Sequence, residues 1–233
     1  MRLGFTIAGL ALASSPAMAA ERRLIVTDFD RIRVEAPFAV VVEAAANHGL
    51  RASGSSKAIE RVSIAVQSRT LIIRMLQLNS GIPVGTDQGP VSISVATPQL
   101  ISASLGGSGS LAVSMMRATR INLALSGAGT ITVGAVEADV LNIDLQGSGT
   151  ISLAGKALSA NVSTSGSGNV SASNLATLDL KMTSQSSGNA DIGAKRSAKI
   201  IAAGAGNITV LGVPACTVTS VGSGTVRCGK GAP

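Results

Sequence analysis

The fold class this chain predicts is all-β: a single-stranded, right-handed parallel β-helix, or solenoid. Three observations carry that prediction. A short glycine motif recurs along the second half of the 233 residues, apolar and polar residues alternate on both sides of it, and the core-forming residues are Val, Ile, Leu and Ala in a chain with no Trp, no Tyr and three Phe. β-Branched and small side chains suit strands and thin layers. At 45% hydrophobic content the chain can bury a substantial core.

From the N-terminus, MRLGFTIAGLALASSPAMAA sets Arg2 ahead of an apolar run from Leu3 to Ala13, followed by Pro16 and the small-residue pattern Ala17-Met18-Ala19. This order is that of a secretory signal peptide over residues 1–19, with cleavage expected after Ala19. Its apolar run is too short to stay behind as a membrane-spanning helix. No second run of that kind follows, so the mature chain is expected to have no transmembrane segment.

Residues 20–100 lack the glycine beat but keep strand patterns at Ile32–Val34, Phe38–Val42, Val62–Val66, Leu71–Ile73 and Val91–Val95, with turns at Asn47–Gly49 and Asn79–Pro90. They read as irregular opening coils that cap one end of the stack.

Residues 101–228 form the regular part. The motif GGSGSL, GAGTI, GSGTI, GSGNV, SSGNA, GAGNI, GSGTV has its first position at 107, 127, 147, 166, 186, 204 and 222, a step of 18–20 residues. A period near 20 points to a solenoid of about seven regular coils, roughly 30 Å tall at the usual strand spacing. Six positions before each motif stand Ile101, Ile121, Leu141, Ala160, Leu180, Ala198 and Cys216; the next residue in each coil is polar, and the one after is apolar again. After the motif the alternation resumes with Leu111, Ile131, Ile151, Val170, Ala190, Ile208 and Val226. Period-two alternation is the mark of a strand with one buried face. Each coil therefore reads as a strand, a G-x-G corner, a second strand and a short variable return such as GAVEAD at Gly134–Asp139. Glycine suits the corner because it takes positive φ freely and lets backbones stack closely. Ser110, Thr130, Thr150, Asn169, Asn189, Asn207 and Thr225 line up behind it as a polar column suited to hydrogen bonding along the stack.

Two cysteines, Cys216 and Cys228, flank the corner of the last coil, both in inward columns. In an exported chain they are expected to pair and to pin that coil shut. Residues 229–233 make a short tail.

The formal charge is +7, falling by one when Arg2 is removed. The Lys and Arg residues are scattered, and only Phe29 and Phe38 remain as aromatics after cleavage, so the dense basic face and stacking platforms of a nucleic-acid binder are missing. One basic cluster stands out: Lys195 and Arg196, with Lys199 and Lys181 from the coil before. It suits an anionic ligand such as an envelope polymer, a glycan or another surface protein.

FDRIRVEAPFAVVVE at Phe29–Glu43, ERVSIAVQSRTLIIRM at Glu60–Met75 and the G-x-G-[TN]-[IV] repeats together resemble the family called putative auto-transporter adhesin, head GIN domain, over about residues 25–228. The resemblance implies an exported, mostly β, single-stranded helical fold of bacterial envelope proteins with a role in surface attachment. It brings no catalytic residue with it.

Catalytic motifs are sparse. Glycoside hydrolysis needs two carboxylates across the scissile bond, and the nearest set is Glu137, Asp139 and Asp144, which reads more simply as solvated charge. His48 sits in a turn-like ANHG, with no G-x-S-x-G elbow to serve. GGSGSL at Gly106–Leu111 lacks the Asp that a calcium-binding G-G-x-G-x-D repeat needs, the corners open no helix for a dinucleotide, and zinc would lack ligands, so neither metal nor cofactor is called for. The resulting expectation is a non-catalytic scaffold or adhesion module in the envelope of a Gram-negative bacterium, in the periplasm or on the cell surface. The rival is a polysaccharide-acting enzyme using Glu137, Asp139 and Asp144.

Overall fold

In a computed structural model, which describes residues 20–76 and 89–230, nearly every element is a strand. The signal-peptide reading of residues 1–19, the body of the turn at Asn79–Pro90 and the last residues of the tail lie outside the described residues. The elements in chain order are β1 (Ala20–Leu24), β2 (Arg31–Glu35), β3 (Ala39–Ala44), β4 (Gly49–Gly54), the helix α1 (Ser56–Glu60), β5 (Val62–Gln67), β6 (Thr70–Met75), β7 (Ser92–Thr97) and β8 (Ser102–Gly107). They continue with β9 (Ser110–Gly127), β10 (Thr130–Gly147), β11 (Thr150–Gly166), β12 (Asn169–Ser186), β13 (Ala190–Ala202), β14 (Ile208–Leu211), β15 (Ala215–Ser220) and β16 (Val226–Lys230).

The repeat stacks in parallel and in register, so that the glycine beat becomes a ladder. Ile121 lies beside Leu141, Leu141 beside Ala160, Ala160 beside Leu180, Leu180 beside Ala198 and Ala198 beside Cys216. On the far side of the corner, Ile131, Ile151, Val170, Ala190, Ile208 and Val226 form the matching column. The seven repeats meet through six parallel interfaces, giving about six turns of solenoid. The inward residues of both columns are almost wholly buried until the last coil.

The corners use glycine for two separate reasons. Gly127 has φ of +120°, a left-handed backbone, and an added Cβ would also lie 2.6 Å from the Gly107 carbonyl oxygen of the coil above. Gly129, two residues on, has no positive φ, but its Cβ would meet the Gly109 oxygen at 2.6 Å and Leu105 Cδ2 at 2.8 Å. The first glycine turns the chain; the second makes room for the neighbouring coil.

The short variable return that GAVEAD marks is itself strand. β9, β10 and β11 run unbroken through it, and Val136, Glu137 and Ala138 pair with Met116, Arg117 and Ala118 above and with Gly155, Lys156 and Ala157 below. Each coil thus has three paired sides, termed here the entry face (before the corner), the exit face (after it) and the return face. Two inward columns follow, two residues apart: Met116, Val136, Gly155 and Leu175, then Ala118, Ala138, Ala157, Thr177 and Ala194, all buried or half-buried. Register shifts at Val133/Val136 and Ser152/Gly155 absorb the changes in coil length. Because those shifts displace the apolar residue by one position between coils, the columns are blurred in the sequence.

The N-terminal strands fall where the alternation placed them, but the chain does not stack them in sequence order. β2 and β3 form the rung directly above the first repeat, pairing with β8 and β9, and their corner is Ala36-Pro37-Phe38 rather than G-x-G. The chain then climbs outward and lays β6 on β2 and β7 on β3 before returning to β8. Outside that rung β5 closes on β6, β4 on β7 and β1 on β4, all antiparallel. Helix α1, capped by the Ser55 side chain accepting from Ala58 N–H, buries Ala58 and Ile59 there. This end has no bare parallel rung, whereas β15 at the other end is exposed along its whole length.

Candidate functional site

The cysteines do pair, with Cα atoms 6.6 Å apart. Cys216 continues the column of Ala198 and Cys228 that of Val210. Among the described residues no coil lies beyond them, and Cys216 is exposed and Cys228 half-buried. The bond therefore ties the last coil across its corner and leaves that coil's inner edge open.

Three surfaces offer themselves for binding. A concavity of about 910 Å³ forms a trough along the return face. Its floor is small and apolar, with Ala118, Ala138 and Ala157 in successive coils, and Leu158 and Leu178 at its side. Arg117, Glu137 and Lys156 stack across it in register, Lys156 Nζ lying 2.6 Å from Glu137 Oε1 while Arg117 pairs with Oε2. Hydrogen bonds from Lys156 and then Arg117 hold the Glu137 carboxyl below the usual carboxylate range.

The second surface is on the entry face. Asn161 Nδ2 donates to Asn142 Oδ1 at 3.0 Å, and Asn142 Nδ2 to Asn122 Oδ1 at 2.9 Å. The same column continues into Lys181 and Lys199, which are register partners in adjacent coils and both exposed. This amide ladder was visible only as a polar column in the sequence; three Asn at one repeat position were its signal. A parallel ladder runs along the exit face, as the Asn and Thr column implied: Asn189 N–H donates to Asn169 Oδ1, Asn207 N–H to Asn189 Oδ1, and Thr225 Oγ1 to Asn207 Oδ1 at 2.6 Å.

The third surface is the corner where the return face meets the entry face, and it carries the basic cluster. The structure divides the four residues. Arg196 is taken up by Asp179, donating through Nε to Oδ1 at 2.9 Å and through Nη2 to Oδ2, while Ser197 Oγ donates to Oδ1 at 2.7 Å. Led by the Arg196 bond, these contacts lower the Asp179 pKa to about 2. Lys195 lines the trough, and Lys181 and Lys199 stand on the entry side. Among the described residues, no carboxylate pairs with any of these three lysines.

The acids of the enzyme reading are not gathered at one bond. Glu137 and Asp139 line the return trough, whereas Asp144 belongs to the entry face, beside Ala124 and Ser163, and accepts from Gln146 Nε2 at 3.0 Å. A general acid needs a raised pKa, and that of Glu137 is lowered. His48 is a half-buried turn residue that packs edge-on against Phe29, ring centroids 5.3 Å apart, with Nδ1 3.3 Å from Asp28 Oδ1. Among the described residues, no group of three or more His, Cys, Asp or Glu is placed to hold a metal, and no helix is long and apolar enough to cross a membrane.

The fold has solved counterparts. It is similar to a putative adhesin from Bacteroides fragilis NCTC 9343, with a TM-score of 0.83 and 21% identity over 91% of this chain and 97% of the other. A putative lipid binding protein from Parabacteroides distasonis ATCC 8503 superposes at 0.72 with 19% identity over 90% and 96%, and a putative adhesin from Parabacteroides merdae ATCC 43184 at 0.68 with 20% identity over 90% and 95%. No curated protein matches the chain in sequence. The family described as "Putative auto-transporter adhesin, head GIN domain" matches residues 28–214, from the capped N-terminal rungs to the edge of the last coil, and the chain belongs to it.

Proposed function

We propose that this protein is an exported, non-catalytic adhesion module whose solenoid holds an anionic envelope polymer, an acidic glycan above all, along the corner between its return and entry faces. The reading is supported by three lysines without carboxylate partners among the described residues, Lys195 lining the return trough and Lys181 over Lys199 on the adjoining entry face. A rod built of register-locked coils presents these lysines rigidly, so a polymer bound along it loses freedom that the protein does not. Membership of an adhesin family and the adhesin names of the fold's counterparts support attachment as the role, and a disulfide suits an oxidising compartment. The three acids of the enzyme reading are split between two faces, Glu137 and Asp139 in the trough and Asp144 on the entry face, which favours the adhesion reading.

Co-sedimentation with polygalacturonate, compared with neutral dextran, tests the proposal. Retention on the anionic polymer, abolished by the triple change Lys181→Ala, Lys195→Ala, Lys199→Ala, is the result expected. Equal retention on dextran, or binding indifferent to the triple change, would overturn it.

A further inference from the structure

We infer that the open C-terminal rung is a self-association surface and that the protein forms a closed, tail-to-tail dimer through β15. All six residues of β15 are exposed, among them Val218 at 43%, and exposed Val213 and Val221 flank it. The strand reads Ala-Cys-Thr-Val-Thr-Ser, without a charge, a proline or a bulge. Edge strands that must stay single usually carry such protection. An uncharged edge also suits a second uncharged edge, which this same strand on another copy supplies.

The backbone sets the register. Ala202 is the partner of Ser220, and Val221 N–H donates to the Ala202 oxygen at 2.8 Å. By strand alternation, odd-numbered residues of β15 direct their backbone groups at β13, and Cys216, Val218 and Ser220 direct theirs along the free edge. Antiparallel pairing about a two-fold axis through Val218 sets Val218 opposite Val218 and Cys216 opposite Ser220, so every free N–H meets a carbonyl. Sliding by two residues one way would place Ser220 opposite Pro214, which has no N–H to give, and the other way would set Cys216 opposite Gly222, beyond the end of β15. The side chains that meet at the axis continue the inward column of Ala198, Ile200 and Ala202, so the pairing closes the end of the core.

The contrast between the two ends decides the symmetry. A head-to-tail stack would need a bare parallel rung at the N-terminal end, and that end is closed by β1, β4, β5 and α1. The parallel coil cannot therefore be continued head to tail, and the tail-to-tail pairing through β15 is isologous and stops at two copies. The eighteen residues of the last coil, 213–230, approach the roughly 20 residues a side of a standard interface.

The test is sedimentation equilibrium on the disulfide-bonded protein, with Val218→Pro, Val218→Lys and, as an equally exposed control on the side of the rod, Leu158→Lys. A proline at an edge position whose N–H faces solvent is compatible with the strand. A dimer at roughly 10–100 μM, weakened at least about tenfold by both Val218 changes and unaltered by the control, is expected. Concentration-dependent hydrogen exchange at the Cys216, Val218 and Ser220 amides of the unaltered protein gives a readout free of mutation. A monomer throughout that range, a dimer indifferent to the Val218 changes, or species that keep growing with concentration would each overturn the inference.

Discussion

Thr164 Oγ1 donates to Ser184 Oγ at 2.9 Å inside the core, in a column whose earlier members are Leu105, Leu125 and Leu145. Two buried hydroxyls satisfy each other between adjacent coils, where a single one would be stranded. Ser184→Ala alone leaves Thr164 without that partner and is expected to cost about 1–3 kcal/mol. Adding Thr164→Val should recover part of the loss. Urea denaturation of the two single variants and the double one checks this, and strict additivity would contradict the pairing.

The two corner glycines should fail differently. Gly129→Ala drives a Cβ into the Gly109 oxygen and Leu105 Cδ2, a clash between stacked backbones expected to cost about 1–3 kcal/mol or more. At Gly107 nothing lies within 4 Å of an added Cβ, and only the φ of +99° resists it, so Gly107→Ala should cost about 1–2 kcal/mol. Thermal unfolding of the pair would show Gly129→Ala melting lower.

Asp179 should titrate far below its neighbours. Carboxyl-detected NMR is expected to find its pKa near 2, and Arg196→Ala should return it toward the ordinary value. The folded pKa lies below the unfolded one, so the Arg196 contact stabilises the fold above the unfolded value near 4 and loses that effect as the pH falls toward 2. Acid unfolding of Arg196→Ala should lack the corresponding step.

Glu137→Gln removes the carboxylate that occupies both Arg117 and Lys156. The two cations would then face the trough unpaired. Retention on polygalacturonate should rise about threefold, and its salt dependence should steepen. Weaker retention would mean that Glu137 itself serves the ligand.

The Cys216–Cys228 bond closes a short loop, its ends 12 residues apart in sequence, at the open end of the rod. Reduction should lower stability by about 2–3 kcal/mol and act locally. Hydrogen exchange should quicken in β15 and β16 while the β10 and β11 amides stay protected. Uniform quickening along the chain would argue against a local clamp.

Much of this protein follows from its sequence alone. A period of 18–20 residues with inward Leu, Ile and Val at alternate positions admits one efficient burial, like residue over like residue, and the G-x-G beat marks where the coil bends. The disulfide partners and the exit-face Asn ladder follow from the same columns. What the repeat could not determine lies wherever its period breaks. The return-face columns, Met116, Val136, Gly155 and Leu175 beside Ala118, Ala138, Ala157, Thr177 and Ala194, slip against the glycine beat at the register shifts, so no fixed spacing reveals them. The rung of β2 and β3 lies between the repeat and later strands because edge pairing depends on three-dimensional neighbours, to which sequence order is blind. The basic cluster shows the same division. Its four charges are legible in the chain, but only the fold gives Asp179 to Arg196, sets Lys195 in the return trough and stacks Lys181 on Lys199 on the entry face, because charge pairing is set by distance between coils.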